Sequence, residues 1–309
     1  MTAGGPLARI IRSLPQGAAI VLAAIGAAAC TPDSTSQIGG STLWLDVAEG
    51  RLKTQVFARA GVSDRPVLIV ILHGDIPDPR PDYQYLFAKA VTLGWPDLPE
   101  RSAALRVALG EWNDSDVVAA GLLRPGYADP AGDRSAGDMG GAIADNYTPA
   151  VVDAVASATR QLREKYRARQ VVLVGHSGGG AIVANVLGRH PDLVDGALLV
   201  GCGCDPEAWR SRMRMRQPGP RWDEPNPSLL PLSTAGQVRS GTLVRLVVGA
   251  ADDVAPPADS RQYAQALRQR GIDARLTIEP GLGHNMLVTP AAFRELGALV
   301  RDLSLGVAP

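Results

Sequence analysis

At 309 residues the chain can bury one large α/β core or two small ones, and a composition of 46% hydrophobic and 20% charged residues is that of a globular protein. Thirty-one basic residues face thirty-one acidic ones, so the formal net charge is zero and nothing points to a nucleic-acid partner. No internal repeat and no heptad pattern is visible, which argues against solenoids and coiled coils.

The first thirty residues stand apart. Arg9 and Arg12 precede an apolar stretch over 18–29 that ends Ala27-Ala28-Ala29-Cys30. A basic start, a short hydrophobic segment and small residues at its end describe a secretory signal over residues 1–29. The stretch is shorter than the about 20 apolar residues that a membrane-spanning helix needs. Small residues directly before a cysteine resemble the lipobox of bacterial lipoprotein signals. The resemblance implies that Cys30 is lipidated and becomes the mature amino terminus, giving a lipid anchor to a membrane. Ala27 stands where that pattern usually has leucine, so plain cleavage after Ala29 is an alternative, as is a hydrophobic helix retained in the fold. Residues 30–41, polar and glycine-rich, read as a flexible tether.

Beyond the tether, 43–47 and 52–58, joined around Glu49-Gly50, read as an antiparallel hairpin at a sheet edge. Pro66 introduces an unbroken apolar run over 67–72, expected of a strand covered on both faces; it stops at His73-Gly74-Asp75. A helix follows over 82–92, then a segment (93–116) rich in proline, tryptophan and charge. Residues 116–123 make the next strand, closed by Arg124-Pro125-Gly126-Tyr127. The glycine- and aspartate-rich stretch 128–147 reads as a rim loop near a site rather than packed structure. Its glycine and final glutamate are wrongly placed for an EF-hand, which argues against calcium. Thr148-Pro149 then starts a long amphipathic helix.

The stretch 171–184, VVLVGHSGGGAIVA, is the most informative in the chain. A β-branched apolar run stops at Gly175-His176-Ser177-Gly178-Gly179, and small and apolar residues at helical spacing follow. This is G-x-S-x-G between a strand and a helix, the context in which a serine serves as a nucleophile. On so sharp a turn the chain passes close to itself on both sides, so Gly175 and Gly179 are the residues that fit. The amide of Gly178, at the start of a helix, lies where developing negative charge is stabilised. The alternative is an ordinary glycine-rich turn with an incidental serine.

Downstream, 196–200 is another buried strand, and 205–240 lacks strand character and carries several Arg, Trp and Pro. A strand over 243–248, a helix over 259–269, a strand over 275–278 and a helix over 290–303 complete the chain. Cys202 and Cys204, one residue apart, would be strained as a bridge, so buried free thiols are expected. CxC alone is too little for a metal site. Strands alternating with helices after an opening hairpin argue a mostly parallel, doubly wound sheet with helices on both faces, and ligands in such sheets sit beyond the carboxyl ends of the strands.

A serine nucleophile needs a base and a carboxylate that orients it. Of four histidines, His73 and His176 occupy a loop and the elbow, and His190 ends the following helix. His284 lies in a flexible turn directly after the last strand, where an imidazole can swing over the serine. For the carboxylate, Asp252 follows the preceding strand, giving the order Ser177, Asp252, His284.

With these residues in place, the sequence resembles the α/β-hydrolase superfamily over roughly 42–303, with a small cap insertion at about 205–240. The order serine, acid, histidine is that of the superfamily. Asp252 stands four residues before Pro256, as the family's acid usually does relative to a proline; Asp253 is its neighbour in reserve, and Asp205 is the alternative one strand earlier. His73-Gly74-Asp75 resembles the family's HG oxyanion segment, which implies that the backbone amide of Asp75 sits beside that of Gly178. Arg124-Pro125-Gly126-Tyr127 resembles an RPGY turn common in the same superfamily. The resemblance implies acyl transfer from a small-molecule ester or acyl substrate, with no metal or organic cofactor.

Trp209, Met213, Met215 and Trp222, with Tyr127, could line an acyl or aromatic pocket, and Arg210, Arg212, Arg214, Arg216 and Arg221 could receive an acidic substrate. The favoured alternative is that those arginines form a solvated face with the apolar residues packed inward. The 93–116 segment, with Trp95 and Trp112, is a second wall or simple packing. Three functions follow: an exported serine esterase, a peptidase or amidase resembling the prolyl oligopeptidase-like branch, and a non-catalytic binding protein on the same fold. The intact set of Ser177, Asp252 and His284 speaks against the third.

Overall fold

In the computed structural model, which describes residues 39–75, 82–94, 103–110, 112, 116–140 and 145–306, the apolar run before His73 forms strand β3 (Val67–Leu72), with all six residues buried. On its two sides lie β4 (Val117–Leu122) and β5 (Gln170–His176), both parallel to it. The edge beyond β4 is the antiparallel hairpin of β1 (Ser41–Val47) and β2 (Gly50–Ala58). Beyond β5 follow β6 (Gly196–Val200), β7 (Leu243–Gly249) and β8 (Asp273–Glu279), all parallel. The sheet thus has eight strands in the order β1-β2-β4-β3-β5-β6-β7-β8. The chain leaves β3 towards one edge and returns at β5 towards the other, so the order reverses between β3 and β5. A crevice opens at such a switch point, outside the carboxyl ends of the strands.

The period-2 alternation of β3 divides the core. Leu68, Val70 and Leu72 join one apolar layer with α3 (Pro149–Lys165), α4 (Gly178–Arg189) and α7 (Pro257–Arg268). Val67, Ile69 and Ile71 join the opposite layer with α1 (Tyr83–Leu93), α2 (Ala103–Gly110) and α8 (Pro290–Ser304). Each fully buried aliphatic side chain contributes about 1.5–3 kcal/mol, and a register slip of one residue would exchange the two layers. Helices start where the sequence marks them: Thr148 and Thr289 accept hydrogen bonds from the amides of Val151 and Ala292, each with proline at the first helical position. The insertion at 205–240 folds as α5 (Pro206–Arg216), a 3₁₀ turn (Pro220–Trp222), α6 (Pro231–Thr234) and a second 3₁₀ turn (Ala235–Gln237). In the 93–116 segment, Trp112 is buried in the α2 layer. The expected signal over residues 1–29, Cys30, most of the expected tether and Trp95 lie outside the described residues.

Two expectations are corrected. Cys202 and Cys204 are not free thiols; they are joined in a disulfide. Gly201 turns the chain at φ +50° after β6, and only Gly203 separates the two cysteines, which leaves their Cα atoms 5.1 Å apart, inside bridging range. The 128–147 stretch, in turn, is not all rim. Asp129 and Ser135 are fully buried, and the ammonium of Lys53 on β2 lies 2.5 Å from Asp129 and 2.6 Å from Asp133. Burial alone would lower the pKa of Lys53, but the hydrogen bonds to both aspartates outweigh it and raise it. Asp129 can be buried because Lys53 supplies the cation it needs, while Asp133 joins the pair from the surface.

Candidate active site

Ser177 sits between β5 and α4 with φ +53° and ψ −120°, a conformation that costs about 1–3 kcal/mol and persists only where its surroundings impose it. Here they do: the Ser177 amide donates to the Val200 carbonyl (2.9 Å), and the Ser177 carbonyl accepts from Gly203 (3.1 Å). The glycines are steric necessities. A methyl group at Gly175 would overlap the Gly179 carbonyl, and one at Gly179 would overlap the carbonyls of His73 and Leu72.

From this turn the serine hydroxyl reaches His284, on the loop after β8, with Oγ 2.9 Å from Nε2. On the other side of the ring, Nδ1 lies 2.9 and 3.1 Å from the two oxygens of Asp252, on the loop after β7. The assignment that gives each contact a donor has Ser177 donating to Nε2 and Nδ1–H donating to Asp252. The Asp252 carboxylate is fully buried and fixed by the amides of Val254 (3.0 Å) and Ala255 (2.8 Å). Asp253 instead pairs with Arg216 at the surface, and Asp205 caps α5 by accepting from Ala208. The three loops therefore bring hydroxyl, imidazole and carboxylate into one hydrogen-bonded chain.

The oxyanion side is built on His73-Gly74-Asp75. Gly178 is the first residue of α4, so its N–H has no acceptor within the helix and points outward at the positive end of the dipole. Asp75 lies against it, close enough that a methyl group at Gly178 would overlap the Asp75 carboxylate. That side chain was not foreseen; the sequence marked only the backbone amide of Asp75. Its carboxylate takes an ion pair from Arg124 (2.8 Å) and hydrogen bonds from the hydroxyls of Tyr147 and Tyr127, the latter at 3.4 Å. Burial alone would favour a neutral Arg124, but the Asp75 carboxylate outweighs it and pushes the guanidinium pKa up. Burial, then the nearby carboxylate, raises Tyr147 well above the ordinary tyrosine value, so it stays a donor.

Two histidines outside the chain also hold the site. Buried His73 is set to donate from Nδ1 to the Gly74 carbonyl (2.8 Å) and to accept the Arg124 amide at Nε2 (3.1 Å), tying the ends of β3 and β4 together. His176 donates from Nε2 to the His284 carbonyl (3.0 Å), and its ring packs against the His284 ring. Burial, with His284 adding to it, lowers the His176 pKa to about 4, so it is neutral beside His284 at neutral pH. The sequence places both at strand ends but says nothing of what they hold.

The expected pocket residues lie elsewhere than an open wall. Tyr127 is fully buried; its hydroxyl donates to Asp75 and its ring packs edge-on against His73 and beneath the Arg124 guanidinium. Trp222 is buried within the insertion, edge-on to Trp209. The five arginines named there are engaged: Arg210 with Asp145, Arg212 with Asp259, Arg214 with Asp223, Arg216 with Asp253, and Arg221 with Gln217. The insertion touches the site instead through Tyr147, whose amide donates to Ser228 and whose carbonyl accepts from Leu229 (both 3.0 Å). Tyr147 left no local signal, because its partners are 72 and 81 residues away.

A mostly parallel sheet with a serine, histidine and aspartate chain beyond its strand ends defines a serine hydrolase of the α/β-hydrolase class. The chain belongs to the prolyl oligopeptidase family, whose model matches residues 134–298. No curated protein matches the sequence. Among solved structures, it is similar to an acylaminoacyl peptidase in complex with Z-Gly-Gly-Phe-chloromethyl ketone, with a TM-score of 0.59 and 13% identity over 85% of this chain. It is also similar to Est1E from Butyrivibrio proteoclasticus with ferulic acid bound (TM-score 0.60, 13% identity, 85% of this chain). A puromycin-hydrolyzing peptidase of Mycobacterium tuberculosis gives a TM-score of 0.58 at 16% identity over 86% of this chain. The chain spans 40% and 39% of the two peptidase chains and 99% of the Est1E chain.

Proposed function

We propose that the protein hydrolyses small carboxylic esters through an acyl-enzyme on Ser177 and acts outside the cytoplasm. The hydrogen-bonded chain Ser177–His284–Asp252 carries this reading. Ser177 attacks the carbonyl carbon as His284 Nε2 accepts its proton; Asp252 holds the ring in the productive tautomer and stabilises the imidazolium. The amides of Gly178 and Asp75 receive the oxyanion. His284 then returns the proton to the leaving alcohol, and water, deprotonated by the same imidazole, releases the acid and restores the serine. His176 and Asp75 act as positioning residues, the first for the His284 loop and the second, with Arg124, for the oxyanion segment.

Similarity to Est1E over nearly that enzyme's full length supports an ester substrate, and its bound ferulic acid suggests a small aromatic acyl group. Peptide or amide cleavage is the second reading, favoured by the family match and the similarity to the acylaminoacyl peptidase. A panel of p-nitrophenyl esters of rising chain length against aminoacyl anilides decides between them; cleavage of anilides alone would sink the ester reading. Ser177→Ala is expected to lower hydrolysis by about 10⁴-fold or more and to abolish labelling by a fluorophosphonate probe, with thermal unfolding nearly unchanged. Full activity in that variant would end the serine assignment. Export is supported by the basic, then apolar, then small-residue pattern before Cys30 and by the Cys202–Cys204 disulfide, since disulfides persist in oxidising compartments.

A further inference from the structure

At the opposite end of the sheet from Ser177, beside the amino-terminal ends of β3 and β5, lies a cleft of about 820 Å³. Three separate segments deliver arginines to it: Arg65 from the loop before β3, Arg160, Arg163 and Arg167 from the end of α3, and Arg189 from the end of α4. Against these five cations the lining offers two acids, Glu164 and Asp192, in a protein whose formal net charge is zero.

Some of these charges are accounted for within the fold. Arg189 makes a bidentate pair with Asp153 (2.8 and 2.9 Å), and Arg160 donates to His190, which in turn contacts Asp153. Arg163 reaches the Asp192 carbonyl. The negative ends of the α3 and α4 dipoles also favour cations there. None of this accounts for Arg65 and Arg167. Among the described residues their side chains make no hydrogen bond or ion pair, and Arg65 belongs to no helix. Arg167 is held at φ +49°, one position past the cap of α3, where glycine or asparagine ordinarily sits. Only one other described residue besides glycine has a positive φ, and that is Ser177. The helix end itself closes this turn, through Ala168 N–H to the Arg163 carbonyl (3.0 Å) and Arg167 N–H to the Glu164 carbonyl (3.1 Å). The observation that points to a ligand is therefore two guanidiniums from separate segments, without partners among the described residues, lining one arginine-rich cleft.

We infer that this cleft binds a phosphate-bearing anion of more than one negative charge, gripped by Arg65 and Arg167. Guanidinium forks match tetrahedral phosphate oxygens in pairs, and two free cations from separate segments suit an anion with oxygens on more than one side. A soluble polyphosphate and an anionic phospholipid headgroup share this chemistry.

The test is calorimetric titration of the full chain with sodium tripolyphosphate at constant ionic strength, beside the double variant Arg65→Ser/Arg167→Gly. Glycine relaxes the turn at 167, and neither side chain has a partner to lose, so the variant should fold and keep its ester hydrolysis. Saturable binding at one site, weakened at least tenfold in the variant, is expected. Absence of saturable binding to both tripolyphosphate and vesicles, equal affinity in the variant, or the same heat from sodium chloride would overturn the inference. Sedimentation with phosphatidylglycerol against phosphatidylcholine vesicles assigns the source. Wild-type retention on the anionic vesicles beyond that of the variant marks a headgroup site, and tripolyphosphate binding without it marks a soluble ligand.

Discussion

Asp75 joins a fully buried arginine to the oxyanion side of the site, and its loss has consequences of two sizes. Asp75→Ala leaves Arg124 buried without a counter-ion, which should destabilise the protein by about 3–5 kcal/mol. Asp75→Asn keeps an acceptor for the tyrosine hydroxyls and should cost less. Urea midpoints of the two variants check the order, and equal midpoints would remove the ion pair from the account. His176 makes a second prediction at this scale. An unfolded histidine takes its proton near pH 6.5, whereas His176 in the fold does so only at about 4. Between those values the unfolded chain binds more protons, so stability is fully present above pH 6.5 and is lost as pH falls towards 4. His176 alone contributes on the order of 3 kcal/mol across this window, and His73, lowered in the same direction by burial and by Arg124, adds to it. Denaturation midpoints from pH 4 to 7 read this slope directly, and His176→Gln should flatten it. A slope unchanged in that variant would count against the assignment.

Elements meet at the loop between β6 and α5. Gly203 donates to the Ser177 carbonyl, while a methyl group at Gly201 would sit 3.3 Å from Asp252 Oδ2 and 3.4 Å from His284 Nδ1. The loop therefore touches both the nucleophile and the pair that activates it, and the Cys202–Cys204 disulfide sets its shape. Closing so short a loop stabilises by only about 1–2 kcal/mol. Cys202→Ala/Cys204→Ala should accordingly lower Tm by a few degrees yet reduce kcat/KM more than that stability change explains. Unaltered kcat/KM would show that the loop keeps its geometry unaided.

Across the whole molecule, the sheet separates two tasks: chemistry beyond the carboxyl ends of the strands and an arginine cleft at the amino ends. If Cys30 carries a lipid, as the pattern before it implies, Cys30→Ala should release the protein from membranes. Membrane association that survives this change would refute the anchor.

Much of this was legible in the chain itself. Local rules sufficed for β3, β5, the elbow with its candidate Ser177 and the capped start of α3, because each is written in contiguous residues whose periodicity, capping or turn chemistry has a local cause. Asp252 and His284 rest instead on their order after the last strands and on the family resemblance. What the linear order could not carry is pairing across distance. Lys53 between Asp129 and Asp133, Arg124 under Asp75, Tyr147 bridging the insertion to the oxyanion segment, and a disulfide made feasible by the turn at Gly201 all depend on where the chain returns. Charge and hydrogen-bond partners are chosen by proximity in space, so only the folded arrangement decides them.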